Sequence, residues 1–292
     1  MVAYILTYTD LSANTKWRLI LGLGAIPALL VVGGTYMESR MDDFTRIVKK
    51  SSNEVANPKI MDSLKERENL IKLVASGGGW FLYDVAFYGV NLFAGSILDA
   101  MNGDDDNVSS DKSIRDLSSK QMIANSVAIP AVFLTIFLMR PIGIKRLQVV
   151  GFVGIAVAFT LMAALFAPLK SRNPDLLFAF YCLLLFFLNF GPNVTTYVLS
   201  AEIYPKEIRG TFNGISAALG KLGAAVGAYM FGPLAGVTPI PAVMIVCAVI
   251  SVVGAIVSHY FIDISEDNIE EYKKIPDNEG GFERSNSALN FE

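Results

Sequence analysis

Leu73-Val-Ala-Ser-Gly-Gly-Gly-Trp80-Phe-Leu-Tyr-Asp84-Val-Ala-Phe-Tyr88-Gly-Val-Asn-Leu-Phe-Ala-Gly-Ser-Ile-Leu98 holds one charged residue, Asp84, in a run long enough to cross a bilayer. A carboxylate at that depth costs roughly 2.5–3.5 kcal/mol on insertion scales, so such residues face a protein interior and mark functional paths. Trp80, Asp84 and Tyr88 follow at i, i+4 and i+8, which stacks indole, carboxyl and phenol along one helical face. A second apolar segment carries Asn193 in Phe190-Gly-Pro-Asn193-Val-Thr-Thr, and a third carries Lys221 in Gly-Lys221-Leu-Gly. An acid, a cation, an amide and a phenol, each on an apolar helix, define a polar site inside a membrane protein.

The bulk composition agrees. Hydrophobic residues make up 53% of the 292 and charged residues 17%, with mean hydropathy +0.46; ordinary soluble domains carry about 25% charged residues. A net charge of −3 offers no basic footprint for nucleic acid. Cys182 and Cys247 lie in apolar runs without disulfide or metal spacing, and one histidine, His259, does not make a zinc site. No nucleophile–base pair appears either. An enzyme is therefore not expected, nor a metal or other cofactor.

Hydrophobic segments fall near 17–36, 73–98, 121–140, 147–167, 176–200, 211–234 and 240–262, each of spanning length. Met1 to Thr7 reads as the end of a further segment, since it lacks the basic start and cleavage site of a signal peptide. The expected class is an all-α polytopic membrane protein, with a six-helix bundle over 73–263 preceded by one helix, 17–36, that closes a first region, 1–36. A polar, partly helical loop is expected at 37–72 and a mobile tail at 264–292. The 37–72 segment carries Arg40, Arg46, Lys49, Lys50, Lys59, Lys65, Arg67 and Lys72; Arg140, Lys145 and Arg146 follow in one turn, and Lys206 and Arg209 in another. Cation bias over short loops places these and the C-terminus in the cytoplasm. Loop 168–175, with Lys170 and Arg172, dissents. Asp104-Asp105-Asp106 reads as a solvated acidic loop.

The run Trp80-Phe-Leu-Tyr-Asp84-Val-Ala-Phe-Tyr88-Gly-Val-Asn91-Leu-Phe93 resembles the seventh helix of the inorganic phosphate:proton symporters of the major facilitator superfamily. Asn189-Phe-Gly-Pro-Asn193-Val-Thr-Thr is similar to their tenth helix, and Gly214-Ile-Ser216 with Gly220-Lys221-Leu-Gly223 to their eleventh. The turn Ala201-Glu202-Ile-Tyr-Pro205-Lys-Glu-Ile-Arg209-Gly210 is shared with sugar porters and many relatives; the Trp80/Asp84/Tyr88 box with Asn193 and Lys221 is far more discriminating. The resemblance runs from about residue 15 to 263. It implies that Trp80, Asp84, Tyr88 and Asn193 contact phosphate, that Lys221 holds its charge, that Asp84 couples a proton, and that Glu202 and Arg209 brace a gate.

The chemistry suits phosphate, a tetrahedral anion still partly protonated near neutral pH. Phenol, indole and amide donate to its oxygens, and a carboxylate accepts from its P–OH. Loss of hydration favours the neutral form of a carboxyl, which suits a proton carrier. Lys221 supplies a point cation for the anion. Each residue also has a structural role open to it. Asp84 and Lys221 can pair to tie helices together, Trp80 and Tyr88 can be packing, and Asn193 beside Pro192 can satisfy carbonyls freed at a kink.

Two departures accompany the resemblance. The match begins near the sixth helix, and the Gly-Gly-Asp-Tyr-Pro-Leu-Ser signature of the family's fourth helix is absent. The superfamily builds its midplane site between two six-helix halves, so the chain reads as a truncated form whose transport requires the N-terminal half. The turn Arg140-Pro-Ile-Gly143-Ile144-Lys145-Arg146 also has Arg140 in place of an acid and Ile144 in place of an arginine. The leading expectation is a proton-coupled inorganic phosphate carrier of the plasma membrane. A sugar or organic-anion porter and a non-transporting membrane phosphate sensor are the alternatives.

Overall fold

The computed structural model describes residues 5–6, 8–9, 11–49, 60–92, 94–102, 110–205 and 208–262, with 37–49 and 231–237 among those described by backbone alone. The expected tail at 264–292, the acidic loop at 104–106 and positions 50–59 of the polar loop lie outside these residues. Helix α1 spans Ala13–Lys49 and α2 Ile60–Ser63; α3, Arg67–Leu73, runs through a π-helical turn, Val74–Gly78, into α4, Gly79–Leu92. Then come α5, Ala94–Asn102; α6, Ser110–Ser126; α7, Ala128–Ile142; α8, Ile144–Arg172; and α9, Pro174–Asn189. The series ends with α10, Pro192–Glu202; α11, Arg209–Val237; and α12, Ile240–Phe261. All regular elements among the described residues are helical.

Among the described residues, six helical stretches are long and apolar enough to cross a bilayer: Asn14–Gly34, Arg67–Leu92, Arg115–Ile142, Ile144–Arg172, Pro174–Glu202 and Ile240–Phe261. The segment expected at 211–234 forms a helix of sufficient length, α11, but is not among the six. Its stretch 214–231 carries one charged residue, Lys221, and several glycines, whose place in the packing is described below. Two expected boundaries also move. The helix expected over 17–36 continues to Lys49, into the loop expected at 37–72. The span expected at 121–140 starts earlier and bends at Val127, because Pro130 has no N–H to return to the Ser126 carbonyl.

Several helices turn an apolar stripe outward and a mixed apolar and polar face inward. On α8, Val150, Val153 and Val157 are exposed while Gln148, Phe152, Ile155 and Phe159 are buried. On α12, Val249, Val252, Val253 and Ile256 face outward and Cys247, Ser251 and Ser258 inward. Lipid tails solvate the outer stripes at no cost, so buried positions are free to carry hydroxyls and amides. Those groups find partners. Thr135, Thr195, Thr196, Ser216 and Ser251 return their hydroxyls to backbone carbonyls four residues earlier, and the Gln148 amide donates to Ser258 Oγ at 3.1 Å. The apolar core gathers Phe152, Phe159, Met162, Tyr181, Leu184 and Cys247 where α8 packs on α9 and α12.

Helix α11 lies along α4. The contact is made by Gly220, Gly223 and Gly227, one stripe at helical spacing. A Cβ at Gly220 would stand 2.6 Å from the Trp80 ring, and Cβ atoms at Gly223 and Gly227 would run into the carbonyls of Phe81 and Val85. Small residues let backbones in a membrane approach this closely. Gly223→Ala is therefore expected to lower the melting temperature of the detergent-solubilised protein by several degrees, for an overpacking cost of about 1–3 kcal/mol. Gly214→Ala on the same helix meets nothing within 4 Å and is expected to melt like the wild type. Equal melting of the two variants would contradict the packing of α4 on α11.

Candidate functional site

Close approach of α4 and α11 sets Lys221 opposite the Trp80–Asp84–Tyr88 face. Lys221 Nζ donates to the Tyr88 hydroxyl at 3.3 Å, stands 5.3 Å from the centre of the Tyr88 ring, and lies 3.9 Å from Asp84 Oδ2. The buried Trp80 indole lies one helical turn before Asp84 on the same face of α4. Asp84 is 3% exposed, whereas the Lys221 side chain is 60% exposed. The acid sits at the bottom of the site and the cation at its rim.

A direct ammonium–carboxylate hydrogen bond spans about 2.7–2.9 Å, so at 3.9 Å the pair attracts without closing. Among the described residues, Asp84 Oδ2 accepts no hydrogen bond. A buried carboxylate oxygen without a donor costs about 1–3 kcal/mol or more, and it remains available to a protonated ligand oxygen. The pair does tie α4 to α11, as the bracing role requires. The pairing leaves Asp84 Oδ2 without a hydrogen-bond donor and most of the Lys221 side chain exposed.

Asn193 takes a different position from the other four. Its amide donates to Asn189 Oδ1 at 2.9 Å, and Asn189 in turn donates to the Leu185 carbonyl at 2.8 Å. This chain of amides crosses the break between α9 and α10. The break follows from local sequence: Gly191 has φ +79°, Pro192 starts α10 without an N–H, and the Gly191 N–H is taken by Thr135 Oγ1 at 2.9 Å. A Cβ at Gly191 would stand 2.8 Å from the Leu147 carbonyl. Thus α10 starts afresh inside the bundle, with Asn193 in its first turn. One turn on, at the same face, is Tyr197, whose ring lies 4.3 Å from that of Trp80 at an angle of 58°. Tyr197 joins the two parts of the site.

The turn after α10 is held from beneath. Arg209 Nε donates to the Tyr204 carbonyl at 3.1 Å, and the buried Tyr204 hydroxyl lies 2.7 Å from Ser76 Oγ. Ser76 Oγ is also 2.9 Å from Ser216 Oγ. Three buried hydroxyls therefore connect the π turn below α4, the α10–α11 turn and α11. Glu202 is half-buried at the end of α10. Sequence reasoning missed Tyr197, Ser76 and Tyr204. For Tyr197 a signal existed, its place four residues after Asn193. Ser76 and Tyr204 are 128 residues apart and meet through the fold alone.

The model of the family described as "Sugar (and other) transporter" matches residues 106–273, more than half of the chain. The chain belongs to this family, one of carriers and not of enzymes, within the major facilitator superfamily. It is 32% identical over 263 residues to the inorganic phosphate transporter PT2 of Toxoplasma gondii, a match covering 90% of this chain and 44% of that protein. A probable inorganic phosphate transporter of Oryza sativa subsp. japonica, 1-12, is 32% identical over 75% of this chain and 46% of its own. Another, 1-6 of Arabidopsis thaliana, is 30% identical over 92% of this chain and 58% of its own. The chain spans about half the length of the curated relatives it matches.

Coupling between Asp84 and Lys221 is measurable directly. In a double-mutant cycle of Asp84→Asn and Lys221→Met, followed by thermal unfolding in detergent, the pair is expected to show roughly 1 kcal/mol of interaction. Strict additivity would mean that the two groups do not interact in the folded protein.

Proposed function

We propose that this chain is the substrate-holding bundle of a proton-coupled inorganic phosphate carrier. One observation carries the reading: a buried carboxylate, Asp84, faces a rim cation, Lys221, across a 3.9 Å gap, with the Tyr88 phenol and the Trp80 indole beside it. The names of the relatives point to the same substrate. In this reading Lys221 and Tyr88 hold phosphate oxygens, Trp80 orients the acid, and Asp84 accepts from the P–OH. Asn193 approaches from α10. Asp84 takes up a proton with the substrate and loses it on release, so the proton gradient drives accumulation.

The same reading assigns Glu202 and Arg209 to a cytoplasmic gate, with Arg209 fixing the Tyr204 carbonyl. The protein acts in the plasma membrane with its C-terminus in the cytoplasm, in keeping with the cation-rich loops. Transport further requires a second helical bundle, the N-terminal half, to cover the face where Lys221 is exposed. A sugar porter, which the family description also covers, carries a neutral substrate that gives the Lys221 ammonium no charge to hold, whereas an oxyanion does.

The test is uptake of radiolabelled phosphate into vesicles carrying the protein with its N-terminal half, at acidic external pH, with and without a protonophore. Wild-type uptake is expected to collapse with the protonophore. Asp84→Asn is expected to abolish driven uptake while the protein still inserts in normal amount. Undiminished, proton-driven uptake by that variant would remove Asp84 from the mechanism, and wild-type vesicles indifferent to phosphate would remove the substrate.

A further inference from the structure

Phosphate presents oxygens on all sides, while Trp80, Asp84, Tyr88 and Lys221 all reach the site from α4 and α11. Donors from another helix are needed to surround such an anion. Asn193 is partly committed, since its amide already donates to Asn189 at 2.9 Å. Tyr197 is not. The residue is 53% exposed, and its hydroxyl makes no hydrogen bond among the described residues. Its ring is fixed, 4.3 Å from that of Trp80 at 58°, so the phenol is held in place without its oxygen being used. An aromatic ring held by packing, with its hydroxyl unused, is a preorganised donor for an oxyanion.

We infer that Tyr197 is a further substrate-binding residue, its hydroxyl donating to the bound oxyanion from the α10 side, opposite Tyr88. The inference rests on the phosphate reading of the same site. Tyr88 already accepts from Lys221 at 3.3 Å, which leaves its own proton to donate. With Tyr197 the anion meets two phenols from two helices, and Trp80 links them by packing against Tyr197 on the helical face that carries Asp84 and Tyr88. Both helices then sense the same ligand.

The experiment measures binding of inorganic phosphate to membranes containing the protein with its N-terminal half, by displacement of the radiolabelled anion. It compares wild type, Tyr197→Phe and Tyr229→Phe. Phe at 197 keeps the ring against Trp80 and deletes one oxygen; Tyr229 is an 80% exposed phenol on α11 that serves as the control. Tyr197→Phe is expected to weaken phosphate binding about tenfold, the loss of one hydrogen bond to a charged group, with the melting temperature unchanged. Tyr229→Phe is expected to bind like the wild type. Wild-type affinity in Tyr197→Phe would overturn the inference and leave the phosphate reading standing. Weaker binding with an equally lowered melting temperature would assign Tyr197 to packing and also overturn it. Wild-type membranes that bind no phosphate would overturn both.

Discussion

A carboxylate in a membrane-spanning helix needs a cation within a few ångströms, and a lysine reaches one only if its helix comes close. In this protein that requirement is met by removing side chains. Gly220 lets α11 lie against the Trp80 ring, Gly223 and Gly227 let it lie on the carbonyls of α4, and Lys221, beside the first of them, arrives 3.9 Å from Asp84. The glycines of α11 are what place its charge. Any residue larger than glycine on that stripe would push the cation away from the acid it serves. Asp84 would then bear the cost of an unpaired ion at membrane depth.

The second constraint is the break between α9 and α10. An unbroken helix over 174–202 would continue the α9 face through the bundle. Gly191 at positive φ and Pro192 without an N–H restart the helix, and Thr135 takes the amide left over. In hydrocarbon a freed backbone group must be bonded by protein, so the break is possible only because α7 supplies that hydroxyl. What results is a fresh helix N-terminus inside the bundle, with Asn193 in its first turn and Tyr197 one turn on, against Trp80. Glycine thus serves the site twice, once by close approach and once by backbone conformation.

Much of this was legible in the chain itself. The spacing of Trp80, Asp84 and Tyr88 gave one helical face, and that face exists. The Gly191-Pro192 pair marked a kink, and the helix is interrupted there. Other features depend on distance in space. The approach of Lys221 to Tyr88 joins residues 133 apart, and no local pattern predicts it. Asn193 carries the same kind of side chain as its nearest partner, Asn189, so residue type alone did not show that its amide is engaged before any ligand comes. The boundary misses have a common cause. Apolar runs mark where lipid lies, whereas helices continue for as long as backbone hydrogen bonds are available, as α1 does to Lys49.

The site is graded in depth, and the gradient bears on how a charged ligand would use it. Lys221 and Tyr197 are more than half exposed, while Trp80 and Asp84 are 3% exposed. An anion approaching from the open side meets the cation and a phenol first, and the carboxylate last. The reverse order would confront it with a like charge before any attraction, at a cost that rises as water is lost. On the proposed reading, attraction at the rim brings the anion in, and the acid at the base takes part after the ligand has shed most of its hydration. A proton shared between Asp84 and a phosphate oxygen would then relieve the repulsion that remains, so that substrate and proton bind together because neither negative group tolerates the other bare.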